Sequence, residues 1–97
     1  MMMTATRTGT GTLTRPGKAE SITVVDEELA AASAQRLLRR DDASAILRRV
    51  RACADKVGAT DAVEIADRAL ASYEGDMLID RERVVDPLLD VRLLLRG

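Results

Sequence analysis

From Val24 onward, apolar positions recur at helical spacing and divide the chain into four segments. In the first, Thr23 and Asp26 have capping-box spacing, with Asp standing where Glu or Gln is usual. Asp26, Glu27 and Glu28 then place negative charge in the first turn, and Arg36, Arg39 and Arg40 place positive charge near the end, the order a helix dipole favours. Ala30, Ala34, Leu37 and Leu38 line one face of this predicted helix. Asp41–Asp42 breaks the pattern and offers an N-cap for the second segment. There the stripe is clearest: Ala43, Ile46, Leu47, Val50, Cys53, Ala54 and Val57, with Gly58 where a helix C-terminal glycine belongs. A third helix starts near Thr60 or Asp61, buries Ala62, Ile65, Ala66, Ala69, Leu70 and Tyr73, and ends at Glu74–Gly75–Asp76.

The last segment is less regular. Met77–Leu78–Ile79 is a short apolar run that fits more than one kind of element. Asp80 can cap a segment through Val85, and Asp86–Pro87 has the form of an N-cap followed by proline at the first helical position. The C-terminal segment is therefore either two short helices or one helix kinked at Pro87. Val84, Leu88, Val91 and Leu95 form one stripe on it, Leu89 and Leu93 a second, and Leu94 points a third way. The fold expected is all-α: an antiparallel bundle of three to four short helices over residues 21–97. Residues 1–20, with threonine at alternate positions and Gly9, Gly11 and Gly17, read as a flexible arm.

Composition acts mainly by exclusion. The 97 residues make one domain at most. Fifteen basic and sixteen acidic side chains leave a net charge of −1. There is no His, so imidazole acid–base chemistry, Ser–His and Cys–His nucleophile pairs and His-dependent zinc sites are excluded. A single Cys forms neither an internal disulfide nor a CxxC motif, and Cys53 on an apolar stripe reads as a structural thiol. No apolar run approaches the roughly 20 residues of a membrane span, and the N-terminus lacks a secretory apolar segment. A cytoplasmic protein is expected. All basic residues except Lys18 and Lys56 are Arg, and Ala is abundant, a bias that suggests a GC-rich bacterial genome.

No motif carries recognisable catalysis. Neither GxGxxG nor GxxxxGK opens a helix. The pairs Asp41/Asp42, Asp61/Glu64, Asp80/Glu82 and Asp86/Asp90 suit caps and surfaces, so no cofactor or metal is expected. Ala54 to Gly58 has helix-turn-helix spacing, but the helix after it carries Asp61, Glu64 and Asp67, which repel phosphates. Gly58 to Tyr73 is faintly similar to the second helix of a tetratricopeptide repeat, yet no second copy appears at a period of about 34 residues.

Three functional readings follow. The leading one is a non-catalytic protein–protein interaction or regulatory module, a homodimer or an accessory subunit, with Val85, Leu89, Leu93 and Leu94 as partner-binding residues. A core this thin, with apolar surplus on the C-terminal helix, favours burial between chains. The second is a nucleic-acid-binding regulator whose Arg48, Arg49 and Arg51 meet phosphates. It draws on a mild asymmetry, 10 basic against 7 acidic residues through Gly58. The third is a small helical enzyme with an Arg/carboxylate pocket, which needs Arg81, Arg83 or Arg92 clustered at a cavity.

Overall fold

The computed structural model describes residues 18–96. Most of the expected arm lies outside them; its last three residues, Lys18–Glu20, open the first helix. The order is α1 (Lys18–Ser33), β1 (Leu37–Arg39), α2 (Arg40–Lys56), α3 (Thr60–Ser72), β2 (Leu78–Asp80) and α4 (Arg81–Arg96). The four-helix, mostly helical architecture is the one expected, with a two-stranded ladder added.

That ladder corrects the first segment. The helix does not run on to Arg40; it ends at Ser33, where Ala34 N–H donates to Ala30 and Gln35 N–H to Ala32. The chain then turns and pairs antiparallel with β2, matching Leu37 to Asp80, Leu38 to Ile79 and Arg39 to Leu78. Arg81 N–H to Arg36 O (3.1 Å) and Arg40 N–H to Met77 O (3.0 Å) extend the pairing at both ends. Successive strand residues face opposite sides. Leu38 and Ile79 therefore enter the core while their neighbours face solvent. The shared helix face assigned to Leu37 and Leu38 does not exist.

Two N-caps also differ from expectation. Thr23 lies inside α1, its hydroxyl donating back to Ala19 O (3.0 Å). Arg39, with extended backbone, precedes α2, so Asp41 and Asp42 sit in its first turn, where they favour the dipole without capping. The α2 C-terminus is as the sequence indicates. Gly58 has φ +73°, its N–H bonds Asp55 O, and Ala59 N–H bonds Ala54 O, the paired bonds of a glycine-terminated helix.

α4 is one helix through Pro87, so the two short helices that were the other form expected for that segment do not occur. Proline has no N–H for the carbonyl one turn back, which is that of Arg83. The Tyr73 hydroxyl donates to this carbonyl at 2.7 Å, so the helix continues without a buried orphan acceptor.

The core is almost wholly aliphatic, and its positions repeat. Val25, Ala32, Leu38, Ala43, Leu47, Val50 and Ala54 are buried, and so are Ala66, Tyr73, Ile79, Val84, Leu88, Val91 and Leu95, each forty-one residues after its counterpart. Buried Ser21 and Ala62 continue the series. The molecule is thus two helix–strand–helix halves joined at their strands. The halves interlock, since α1 packs mainly on α4 and α2 mainly on α3.

Candidate functional site

The proposed partner residues separate on α4. Val84, Leu88, Val91 and Leu95 turn inward, and Val85 packs partly buried against the same core. Val85 therefore offers little to a partner. Leu89 and Leu93, 45% and 65% exposed, stand one turn apart on the outward side. Leu94, 40% exposed, lies around the helix, in a shallow cleft with Gly58–Ala62.

A second apolar group was not selected from the sequence. Leu37 and Leu78, 48% and 55% exposed, lie on the outer face of the ladder, and Met77, 83% exposed, adjoins them. Their signal was present as two short apolar runs, Leu37–Leu38 and Leu78–Ile79, at the same forty-one-residue spacing.

The three arginines singled out on α2 do not form one basic patch. Arg49 donates from Nε and Nη2 to both carboxylate oxygens of Glu28, each at 2.9 Å, a fork that ties α2 to α1. This hydrogen bonding raises the guanidinium pKa above its ordinary value. Arg51 is bonded to Asp67 and ties α2 to α3; its pKa is raised for the same reason. Arg48 lines a cavity of about 480 Å³ with Arg40, Asp41, Ser44, Tyr73 and Glu74. Two arginines face two carboxylates there, so the lining has no net charge to draw a polyanion.

Arg81, Arg83 and Arg92 do not converge either. Arg81 donates to Ser33 O (3.1 Å), and Arg92 to Asp26 (2.6 Å), joining α4 to α1. Arg83 donates to Asp76 (2.7 Å) and Ser72 O (2.6 Å), with its guanidinium carbon 5.7 Å from the Tyr73 ring centroid. Of the three, only Arg83 lines a cleft of about 330 Å³ between α3 and α4, beside Arg68, Asp86 and Asp90. The spread of these groups gives no joint grip on a substrate.

Helix–loop–helix units are also the frame of calcium-binding loops, which need carboxylates along the loop and an acidic residue closing it. The residues here do not fit that ion. The first loop carries Ala34, Gln35 and Arg36, and in the second the Arg83 guanidinium already occupies Asp76. Among the described residues no three His, Cys, Asp or Glu side chains come together as a metal site. No helix among them is long and apolar enough to cross a membrane. Cys53 is half-buried.

No protein-family model, curated protein or solved structure matches this chain.

Proposed function

We propose that the chain is a non-catalytic interaction module that works bound to another protein chain, a second copy of itself or a larger complex. The observation that carries this reading is the set of large apolar side chains left at the surface of so small a domain. They fall into two groups, Leu89 and Leu93 on the outward side of α4 and Leu37, Met77 and Leu78 at the ladder, with Leu94 apart from both beside Gly58–Ala62. Exposed apolar side chains standing singly are ordinary, whereas grouped ones mark contact surfaces. Pairing of Arg49 and Arg51 to carboxylates weighs against a phosphate-binding role for α2. The dispersal of Arg81, Arg83 and Arg92 weighs against an enzyme. We place the work of the protein in the cytoplasm, where a lone unpaired thiol such as Cys53 persists.

Site-specific photocross-linking in cells tests the reading. A photoreactive residue at position 93 or 78 is expected to yield protein adducts, and one at exposed Glu64 on α3 to yield far fewer. Equal or absent adducts at all three positions count against the proposal.

A further inference from the structure

We infer that a second copy of this chain binds the outer face of the strand ladder, on a two-fold axis that sets each Arg39 against the partner subunit's Asp80. The inference rests on the protein-contact reading above and names the partner.

The register defines the face. Leu38 and Ile79 point inward, so Leu37, Arg39, Leu78 and Asp80 point outward. Leu37 stands across from Asp80, and Arg39 across from Leu78. The two leucines therefore occupy one diagonal of a square and the opposite charges the other. Leu37 and Leu78 are equivalent positions in the two halves, as are Arg39 and Asp80, so the square inherits the internal symmetry of the fold.

A two-fold interface must be complementary to itself. An axis along the strands, or across them, lays each leucine on a charged residue. An axis along the Arg39–Asp80 diagonal lays like charge on like. An axis along the Leu37–Leu78 diagonal lays leucine on leucine and makes two Arg39–Asp80 pairs. That is the one in-plane choice that satisfies all four residues. The charges are free to take part: among the described residues neither Arg39 nor Asp80 is in an ion pair. Met77 adds apolar surface at the margin. Four residues with Met77 at the margin make a face well short of the roughly 800 Å² per partner of a standard stable interface, so the dimer is weak and forms only at high concentration.

Sedimentation equilibrium of the full chain, up to millimolar concentration, tests the assignment. The unaltered chain is expected to dimerise. Arg39→Glu alone and Asp80→Arg alone each place like charges face to face and are expected to weaken the dimer about tenfold or more. Mixing the two variants restores two opposite-charge pairs, so the mixture is expected to associate as tightly as the unaltered chain. Leu93→Asp, away from the ladder, is expected to leave the constant unchanged. Circular dichroism of each variant checks that these exposed substitutions leave the fold intact. The inference is overturned by a chain that stays monomeric throughout, by a mixture no tighter than either variant alone, or by a dimer that Leu93→Asp dissolves. In each of those cases cross-linking at positions 93 and 78 still decides the protein-contact reading independently.

Discussion

At the scale of single residues, Tyr73 and Pro87 form a coupled pair. Tyr73 is the chain's one aromatic residue and is buried. Its hydroxyl fills the bond that Pro87 leaves open at Arg83 O. Tyr73→Phe strands that carbonyl and is expected to cost about 1–2 kcal/mol by urea denaturation. In a Pro87→Ala background the helix regains its own N–H donor, so the same change is expected to cost measurably less. Equal costs in the two backgrounds would show that the two residues act separately. Burial pushes the Tyr73 phenol up to about 12, against a smaller opposing effect of the Arg83 charge. A phenol held above its unfolded value near 10 gives stability that is full below that pH. As the pH rises the unfolded chain loses its proton first, so this stability declines from about pH 10 toward 12. The urea midpoint is therefore expected to fall over that window in the unaltered chain, with a shallower fall in Tyr73→Phe. Phenolate absorbance reads the same titration at a single site, because no other tyrosine is present. The sequence shows Tyr73 as a stripe residue and Pro87 as a helix breaker. Their link is a hydrogen bond between separate elements, and periodicity carries no trace of it.

At the scale of elements, α2 and α3 are legible because their stripes are long and their ends chemically marked. Gly58 closes α2 at φ +73°, as its position after Val57 suggests. The ladder is not legible for a physical reason. Three residues are too few for a period of two to be told from a period of 3.6, and Leu37–Leu38 satisfies either. Only pairing with β2 decides, and the pairing joins residues as far apart in sequence as Leu37 and Asp80. The same gap hid Leu37, Met77 and Leu78 from any list of surface residues. Three of the four residues expected at the α4 surface were nonetheless readable: Leu89, Leu93 and Leu94 are exposed, whereas Val85 is drawn into the core by the turn it shares with Val84 and Leu88. The ladder makes a sharp prediction about two adjacent leucines. Leu38→Ala opens a cavity in the core and is expected to cost about 2–5 kcal/mol, while Leu37→Ala at the outer face is expected to cost well under 1 kcal/mol. Equal losses in thermal or urea unfolding would restore the helix that the sequence alone suggests.

At the scale of the whole molecule, the repeat explains why a domain with so few large side chains holds together. Each half presents an apolar face that its own two helices do not close, and the other half closes it, α4 over α1 and α3 over α2. A search for known repeat lengths misses this, because the halves share burial more than identity: Ala32 answers Tyr73, and Ala54 answers Leu95. In both pairs the larger side chain lies in the second half, so the two halves fill the shared core unequally. Cooperativity follows from the interlock. If neither half has a core of its own, unfolding is all-or-none, and damage to either half is damage to both. Leu47 and Leu88 provide the test, since they occupy equivalent positions and both are wholly buried. Leu47→Ala and Leu88→Ala are each expected to cost about 2–5 kcal/mol and to shift one shared transition. Helical circular dichroism, which reports all four helices, and Tyr73 fluorescence, which reports the contact of α3 with α4, should fall at the same denaturant concentration in both variants. A variant in which the Tyr73 signal is lost while half of the helical signal persists would show that the halves fold separately, and the interlocked core would then be the wrong account of this chain.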